Sequence, residues 1–270
     1  MGHRFGVVGD PVEHSLSPVL HRAGYAALGL DLRYDAVRVP AGALAGFVAG
    51  LGPEWRGLSV TAPLKREALA LADEVSGLAV LAGGANTLVR TPGGWSADNT
   101  DVPGAVAAIR ERFAGILRSA TILGGGATAA SVGLALADLG IGEITVAARN
   151  PVNAAEAVAA IERHPSAPRV LLVPLDEAGP AGGVLVSTVP AAAQTDGLIG
   201  RVLPADVVFE VTYNEWPTPL VAAALSAGVP VVSGLDLLVH QAVHQFAMFT
   251  GHDGPLAAMR SAGEAALAAR

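Results

Sequence analysis

A glycine-rich turn between a predicted strand and a predicted helix is the strongest chemical signal in the sequence. Gly124, Gly126 and Ala129 follow a short apolar run at 121–123 with the spacing G-x-G-x-x-A. Glycines at these positions let the backbone approach a pyrophosphate at a helix N-terminus, which is typical of dinucleotide binding. About 20 residues on, such folds place an Asp or Glu that reads the ribose of NAD. The sequence has Arg149 there, a residue type that favours a 2′-phosphate and hence NADP.

Two serines flank a predicted helix N-terminus just after the first predicted strand, in the run His14-Ser15-Leu16-Ser17-Pro18. In a purely structural interpretation, Ser17 caps the helix and Pro18 fits its first turn. Capping needs only one hydroxyl, however, and free N–H groups and the helix dipole favour an anion at this place. A second interpretation is therefore that Ser15 and Ser17 bind a substrate carboxylate.

Lys65 and Asp101 are the candidate acid–base residues. Lys65 is either a solvated lysine in the first turn of a helix begun by Pro63 or, just beyond a strand end, a group for proton transfer or hydroxyl binding. Asp101, ahead of Pro103, is either an ordinary N-cap or the carboxylate partner of Lys65. The sequence alone leaves both alternatives open.

Two later polar residues are further site candidates. Tyr213 follows a predicted strand, where open α/β sheets place ligands, while Thr218 and Pro219 are predicted to cap the next helix. Gln241 lies in a mostly apolar predicted helix, and a surface-facing glutamine is its simpler explanation.

Metal binding and nucleophilic-serine catalysis are not expected. His240 and His244 share one face of a predicted helix, but they have no intervening Glu, no obvious third ligand and no thiolate partner. The chain has no cysteine and no G-x-S-x-G turn.

Predicted strands and helices alternate from end to end, which is the pattern of an α/β fold. In the first part, strands are predicted near 5–9, 32–37, 58–60 and 84–89, with a hairpin partner ending near 97. Helices are predicted at 18–28, 41–50, 64–71 and from 101–103 to about 113. From the glycine turn onward, strands are predicted near 120–123, 144–147, 169–173, 184–187, 207–210 and 229–232.

The last two predicted helices, at 234–250 and 255–268, have no following strand to cover. We expect them to pack back on the first domain, which would then be discontinuous. Boundaries are expected near 101–118 and 233–240. The predicted division is a substrate-binding and catalytic domain, residues 1–101 and 238–270, and a Rossmann-type NADP-binding domain, residues 102–237.

Composition narrows the class of protein. Of 270 residues, 51% are hydrophobic and only 15% are charged, which indicates a globular chain. The mean hydropathy of +0.48 comes largely from alanine and valine, and no uninterrupted apolar run is long enough for a membrane span. A net charge of −7 argues against general nucleic-acid binding. With a predicted strand rather than a secretory signal near the N-terminus, we expect a cytoplasmic protein.

In order and spacing, these motifs resemble those of the shikimate dehydrogenase family over nearly the whole chain. The family's G-x-P-x-x-H-S-x-S-P appears at 9–18 and its N-V-T-x-P-x-K at 59–65, with Ser59 in place of the usual Asn. G-A-x-N-T and G-x-N-T-D appear around Asn86 and at 97–101, each with a minor substitution. The segments at 213–220 and 234–242 align with the family's Y-x-P-x-x-T-P-L and G-x-x-x-L-x-x-Q-A. Six such matches in the right order are highly specific.

The resemblance implies a two-domain fold and the NADPH-dependent reduction of 3-dehydroshikimate to shikimate, a step of the shikimate pathway to aromatic amino acids. It implies that Ser15 and Ser17, helped by Tyr213, hold the substrate carboxylate, and that Lys65 and Asp101 form the catalytic pair. Three residues are implied to bind the ring hydroxyls: Thr61, Asn86 and Gln241. The implied cofactor-binding residues are Gly124, Gly125, Gly126, Ala127, Thr128, Ala129, Arg149, Asn150, Thr188, Val211 and Gly234.

Three departures from the family pattern affect these expectations. Ser59 replaces Asn, and Arg22 stands where Asn is common; we expect both to lie behind the residues that contact substrate. NADP-preferring relatives often carry a second basic residue four positions after the Arg, where this chain has Asn153. The 2′-phosphate would then be held by Arg149, with help from Asn150 and the backbone, and discrimination against NAD would be softer.

Two alternatives stay open. One is a paralogue that prefers quinate or uses NAD; the paired serines and Arg149 weigh against it. The other is a nucleotide-sensing regulator without turnover, which would have no need for Lys65 and Asp101 together. Apart from substrate and cofactor no partner is expected, and the sequence does not distinguish a monomer from a homodimer.

Overall fold

The computed structural model describes residues 2–270, which divide into two compact units. The first comprises the residues up to Thr100 together with Leu238–Arg270, and the second comprises Asp101–Leu237. No helix within residues 2–270 is long and apolar enough to cross a membrane. Each unit is a sheet with helices, as the alternating sequence pattern predicts, and the mixed α/β class is confirmed.

The first unit contains a six-stranded mixed sheet in the order β2-β1-β3-β5-β6-β4. Its strands are β1 (Arg4–Gly9), β2 (Arg33–Arg38), β3 (Trp55–Val60), β4 (Glu74–Val75), β5 (Thr87–Thr91) and β6 (Gly94–Asp98). β1 pairs in parallel with β2 and β3, whereas β5 is antiparallel to β3 and to β6. The ends of β1, β3 and β6 and the start of β5 therefore lie at one edge of the sheet.

Helices cover this sheet. They are α1 (Ser17–Leu28), α2 (Leu44–Ala49), α3 (Lys65–Leu71), α4 (Gly77–Ala82), most of α10 (Gly234–Thr250) and α11 (Leu256–Ala268). The C-terminal helices return to this unit as predicted. Gly24 of α1 allows the close packing, because a Cβ there would lie 2.6 Å from a ring carbon of Phe246 and 3.4 Å from Cγ of Met259.

The second unit contains a parallel sheet in the order β12-β11-β10-β7-β8-β9. Its strands are β7 (Ser119–Leu123), β8 (Glu143–Ala148), β9 (Arg169–Pro174), β10 (Val184–Ser187), β11 (Val207–Glu210) and β12 (Val231–Val232). Read from the other edge, the order of connection is 3-2-1-4-5-6, the arrangement of the doubly wound dinucleotide folds. In such a sheet, ligands bind beyond the carboxyl ends of the strands, where the order reverses.

The helices of the second unit are α5 (Asp101–Arg112), α6 (Ala127–Asp138), α7 (Pro151–Glu162), α8 (Asp196–Val202) and α9 (Pro219–Ser226), with short 3₁₀ turns at Leu175–Glu177 and Ala191–Ala193. Small residues let α6 and α7 approach closely. A Cβ on Gly133 would lie 2.2 Å from Cδ1 of Ile161, and three buried alanines pack between the two helices: Ala130, Ala157 and Ala160. The small side chains of α6 and α7 thus allow the two helices to pack closely.

Several sequence expectations need correction. Ser17 does not cap α1: the N-cap is Leu16, which makes no side-chain cap hydrogen bond, and Ser17 is the first helical residue. The strand expected at 84–89 begins only at Thr87, and the one expected at 229–232 covers two residues. The helix expected at 41–50 is shorter, Leu44–Ala49. The predicted cap at Thr218 is confirmed, because its side chain accepts from the Val221 N–H.

Candidate active site

The polar edge of the first unit comprises the segments at 10–17, 61–65, 84–87 and 98–100. Backbone hydrogen bonds join these segments across the strand ends. The N–H of Thr61 donates to the Val8 carbonyl at 2.9 Å, and that of Asp10 donates to the Ala62 carbonyl at 3.1 Å. The N–H of Val60 donates to the Asn86 carbonyl at 2.7 Å. Residues far apart in sequence are thereby held side by side, and they include most of the predicted substrate-binding residues.

Ser15 and Ser17 lie at the start of α1, but they differ in surroundings. The Oγ of Ser15 accepts a hydrogen bond from the Ser17 N–H at 3.3 Å. Ser15 thereby satisfies one of the free N–H groups at the start of α1. Ser17 is buried, with 4% of its surface exposed, and it lies close to the Tyr34 hydroxyl. The structure brings both serines to the polar edge, where they could donate to a carboxylate.

Lys65 is the first residue of α3, and backbone contacts fix its position. The N–H of Leu64 donates to the Thr61 carbonyl at 3.0 Å, which forms the turn that leads into the helix. The N–H of Ala85 donates to the Lys65 carbonyl at 2.9 Å. Thr61 and Lys65 are therefore attached to the segment that carries Asn86.

Asn86 is buried, and its amide is held from several sides. Its Oδ1 accepts from the Thr100 N–H and from the Thr87 hydroxyl, each at 2.8 Å. Its Nδ2 donates to Thr100 Oγ1 at 2.9 Å and to Gln241 Oε1 at 3.3 Å. Gln241 is itself buried, with 6% exposed, so the surface-facing alternative for it is wrong. The structure thus brings two of the three predicted hydroxyl-binding residues into direct contact.

Sequence reasoning missed Gln245, which joins the same group. It is 1% exposed, and its Nε2 donates to the Asn86 carbonyl at 2.9 Å and to Thr87 Oγ1 at 3.0 Å. Its position four residues after Gln241 was the available signal, because residues at that spacing share a helix face. A second glutamine on an otherwise apolar face needs a polar partner inside the protein.

A neutral histidine and two neutral tyrosines lie behind the polar edge. The ring of His21 is completely buried and stacks on Tyr34 with 4.3 Å between ring centroids. Burial lowers the pKa of His21 to about 3; the nearby Gln245 amide acts in the opposite direction, although no hydrogen bond of standard geometry joins these two side chains. Burial raises the pKa of Tyr34 and that of Tyr25. All three side chains are uncharged at neutral pH.

In the second unit, the three glycines of the predicted turn have three different reasons to be glycine. Gly124 has φ +113°, and a Cβ there would lie 2.2 Å from Thr188 Oγ1. A Cβ on Gly125 would lie 2.3 Å from the Cβ of Ala154 in α7. A Cβ on Gly126, the uncapped N-cap of α6, would meet nothing within 4 Å. Protein packing therefore does not explain Gly126, whereas a pyrophosphate against the helix N-terminus does.

The other residues of this turn suit the same ligand. Ala127 and Thr128 are the first residues of α6 and are partly exposed, while Ala129 is buried. Their backbone N–H groups belong to the first turn of the helix, which has no side-chain cap. The residues present thus fit a dinucleotide with its pyrophosphate at this N-terminus.

Arg149 and Asn150 follow β8 directly, and both are exposed. Asn150 is the N-cap of α7, and its Oδ1 accepts from the N–H groups of Val152 at 3.0 Å and Asn153 at 3.4 Å. Its side chain therefore stabilises the helix. Arg149 is placed where a ribose 2′-phosphate is expected, beyond the second strand of the fold.

Three further cofactor candidates follow other strand ends of the same sheet. Thr188 comes after β10, and its Oγ1 donates to the Leu123 carbonyl at 2.9 Å. Val211 comes directly after β11, and one residue, Ser233, separates Gly234 from β12. A Cβ on Gly234 would lie 2.2 Å from the Val211 carbonyl oxygen, so glycine is required for this close approach.

Tyr213 lies in a loop that a buried carboxylate organises. Glu210 is fully buried and accepts from Gln194 Nε2 at 2.6 Å, from the Thr218 hydroxyl at 3.0 Å and from both the N–H and the hydroxyl of Thr212. The loop is thereby fixed at both ends. The family pattern has Pro two residues after the Tyr, and this chain has Glu215 there, so that match is inexact.

The predicted substrate residues divide between the two units. Six of the eight substrate and catalytic candidates belong to the first unit: Ser15, Ser17, Thr61, Lys65, Asn86 and Gln241. Asp101, the buried first residue of α5, and Tyr213 belong to the second. The pairing of Lys65 with Asp101 stays a prediction.

Within residues 2–270, no group of three or more His, Asp or Glu side chains could hold a metal ion. A groove of about 670 Å³ lies at the amino-terminal edge of the second sheet, beside the ends of α5 and α6. Ligands in sheets of this kind bind at the opposite edge, so the groove is not assigned to the cofactor.

The sequence of the chain is similar to those of known proteins. A model of the shikimate dehydrogenase substrate binding domain matches residues 7–88, and one of the shikimate 5'-dehydrogenase C-terminal domain matches residues 234–262. The shikimate dehydrogenase (NADP(+)) of Moorella thermoacetica is 34% identical, with 94% of this chain and 90% of the relative covered.

The chain is also similar to solved structures. The crystal structure of shikimate dehydrogenase from Mycobacterium tuberculosis is 44% identical, with a TM-score of 0.89 and coverage of 98% of this chain and 99% of the other. Quinate dehydrogenase from Corynebacterium glutamicum, in complex with NAD, is 27% identical, with a TM-score of 0.88 and coverage of 98% and 99%.

Proposed function

The chain belongs to the shikimate dehydrogenase family, and we propose that it catalyses the reversible, NADPH-dependent reduction of 3-dehydroshikimate to shikimate in aromatic amino acid biosynthesis. The observation that carries this proposal is the polar edge. The polar edge holds the paired serines and Lys65 beside a buried amide cluster, which consists of Asn86, Gln241 and Gln245. Together these side chains can hydrogen-bond the carboxylate and the hydroxyls of a small polyhydroxylated acid. Two relatives named for this activity match 94% and 97% of the chain.

Substrate binding is assigned to residues with suitable hydrogen-bonding groups. Ser15 and Ser17 donate to the substrate carboxylate, with help from the Tyr213 hydroxyl. Hydroxyl and amide side chains bind the ring hydroxyls, since they can both donate and accept; these are Thr61, Asn86 and Gln241. These contacts orient the ring and so position its reacting carbon.

Lys65 and Asp101 are proposed to manage the proton at the reacting oxygen. A lysine ammonium can donate a proton to an oxygen that gains negative charge, and a neighbouring carboxylate can orient that lysine or the substrate hydroxyl. Position supports the assignment of Lys65, which lies at the polar edge beside the segment of Asn86.

The cofactor is proposed to be NADP, which supplies or accepts the hydride when it is bound. Gly126 and the first turn of α6 hold the pyrophosphate, and Arg149 holds the 2′-phosphate. Gly124 and Gly125 shape the turn, while Thr188, Val211 and Gly234 line the neighbouring strand ends. The Asn150 side chain already caps α7, so we assign most of the phosphate binding to Arg149.

A quinate-preferring or NAD-using enzyme is the alternative that a specific observation favours. A quinate dehydrogenase in complex with NAD has nearly the same fold at 27% identity, and Asn153 offers no second cation beside Arg149. The paired serines and Arg149 itself favour shikimate and NADP.

The test is an assay of NADPH consumption by the purified chain with 3-dehydroshikimate, with shikimate identified as product. We expect multiple turnovers and the reverse reaction with NADP⁺. Binding of NADPH without turnover would instead favour the nucleotide-sensing alternative and would refute the proposed reaction. The cytoplasmic location and the choice between monomer and homodimer stay predictions; cell fractionation and sedimentation velocity test them.

A further inference from the structure

A chain of buried hydrogen bonds lies behind the polar edge. Tyr34 Oη donates to Ser59 Oγ at 2.5 Å, and Ser59 Oγ donates to Gln245 Oε1 at 2.6 Å. Gln245 Nε2 donates to Thr87 Oγ1 at 3.0 Å, and Thr87 Oγ1 donates to Asn86 Oδ1 at 2.8 Å. Every member is at most 4% exposed. The chain begins on β2 and ends on a side chain proposed to bind a ring hydroxyl.

The direction of the first links follows from a backbone contact. Gln245 Nε2 donates to the Asn86 carbonyl oxygen at 2.9 Å, and a carbonyl oxygen can only accept. The other amide atom of Gln245, which faces Ser59, is therefore the oxygen. Ser59 must donate its single proton to that oxygen, and it can only accept from Tyr34.

The orientation of Asn86 is fixed in the same manner. The Thr100 N–H can only donate, so the atom of Asn86 that it contacts at 2.8 Å is Oδ1. Thr87 has one proton, and since its oxygen accepts from Gln245, that proton goes to the same Oδ1. Both lone pairs of this oxygen are then engaged, and the two protons of Nδ2 point to Thr100 Oγ1 at 2.9 Å and to Gln241 Oε1 at 3.3 Å. The longer contact, to Gln241, is the one that a ring hydroxyl can replace.

We propose that Ser59 is a positioning residue for the substrate: it holds Gln245 against Asn86 and so fixes the orientation of the Asn86 amide that binds one ring hydroxyl of shikimate. This inference rests on the proposed function. Where the family has asparagine, this chain has a serine, and its single hydroxyl makes both contacts, accepting from Tyr34 and donating to Gln245.

Removal of the Ser59 hydroxyl separates Tyr34 from Gln245. Two buried polar atoms, Tyr34 Oη and Gln245 Oε1, would each lose a short hydrogen bond, and buried groups without partners are costly. The side chain of Gln245 would shift to recover a partner. Because Gln245 also holds the Asn86 carbonyl and Thr87, Asn86 would move with it.

The experiment compares Ser59→Ala, Ser59→Thr and, as a matched control on β6, Ser96→Ala. Thr keeps the hydroxyl. For Ser59→Ala we expect the KM for shikimate to rise about tenfold, with kcat and the KM for NADP⁺ within about threefold of wild type. Ser59→Thr restores the wild-type KM, and Ser96→Ala leaves all constants unchanged. A general loss of structure would lower kcat or alter both KM values.

Deoxy analogues of shikimate identify the ring hydroxyl that Asn86 binds. With 4-deoxyshikimate and 5-deoxyshikimate, the KM ratio of Ser59→Ala to wild type should fall to about one for the analogue that lacks the hydroxyl bound by Asn86. An unchanged ratio for both analogues, or a Ser59→Ala variant that behaves like Ser96→Ala, overturns the inference.

Thr87→Val serves as the second variant if Ser59→Ala fails to fold. It removes the side-chain link through the Thr87 hydroxyl, leaves the contact of Gln245 with the Asn86 carbonyl, and should show the same selective rise in the KM for shikimate. When both single variants fold, their effects should be non-additive because they act on one path; additive effects contradict the inference. A wild-type chain that does not oxidise shikimate would refute the proposed function instead.

Discussion

Lys65 and Arg149 are single side chains to which two separate chemical tasks are assigned, proton transfer and cofactor choice. Lys65 is held by backbone contacts to its neighbours in the polar edge. Arg149 is exposed after β8, at the position where a 2′-phosphate is expected. Because the tasks are separate, substitutions at the two positions should affect different kinetic constants.

Lys65→Ala should lower kcat by about 10²-fold or more, which is the usual contribution of a positioned acid–base group. The KM for NADP⁺ should change little. Steady-state kinetics of shikimate oxidation measure both constants, and Arg66→Ala, at the adjacent exposed position of α3, is the control. Normal turnover by the Lys65 variant would refute the assigned role.

Arg149→Ala should raise the KM for NADP⁺ by about tenfold or more, because a charge-assisted contact to the 2′-phosphate is lost. Kinetics with NAD⁺ should be nearly unchanged, since NAD⁺ has no 2′-phosphate. Arg163→Ala, at the other end of α7, is the control. Equal losses with both cofactors would contradict the 2′-phosphate assignment.

At the scale of elements, the turn between β7 and α6 contains one glycine needed for packing and, next to it, one proposed to bind the cofactor. Gly125 lies against α7, whereas Gly126 faces open space at the N-terminus of α6. The two glycines look equivalent in the sequence, and the packing of α7 against the turn is what distinguishes them.

Gly125→Ala should destabilise the protein by about 1–3 kcal/mol, because its Cβ would overlap Ala154. Gly126→Ala should leave the thermal midpoint almost unchanged but raise the KM for NADP⁺, since its Cβ would occupy space proposed for the pyrophosphate. Thermal unfolding without ligand and steady-state kinetics separate the two effects. Equal destabilisation by both substitutions would contradict this distinction.

Much of the fold could be predicted from the sequence, because apolar periodicity and turn residues are local signals. The glycine turn and the returning C-terminal helices are examples. The two-residue β4 and the short α4 were missed, since neither is long enough to show a period.

The amide cluster was only partly predictable, because its contacts are long-range. Asn86 and Gln241 are 155 residues apart, and no local pattern shows that they meet. Motif resemblance identified both residues, but it did not reveal Gln245. Ser59 was noticed only as a departure from the family pattern.

At the scale of the whole molecule, the buried neutral His21 links stability to pH. In the folded state its pKa is about 3, against 6.5 for an ordinary histidine. Between these values the unfolded chain binds a proton that the folded chain does not. Stability contributed by this residue is therefore present above about pH 6.5 and falls as the pH is lowered.

His21→Phe, which keeps an aromatic ring against Tyr34, should remove this dependence. From about pH 6.5 to about pH 5, the free energy of unfolding of wild type should fall by about 1.6 kcal/mol more than that of the variant. Urea unfolding at several pH values measures the difference. Parallel curves for the two proteins would show that His21 is not neutral and buried as described.

Substrate and cofactor preference together test the proposed function most directly. The measurement is kcat/KM for shikimate and for quinate, each with NADP⁺ and with NAD⁺, on the purified wild-type chain. The paired serines and Arg149 predict the highest value for shikimate with NADP⁺, with a modest margin over NAD⁺ because Asn153 supplies no second cation. A clear preference for quinate with NAD⁺ would contradict the proposed function.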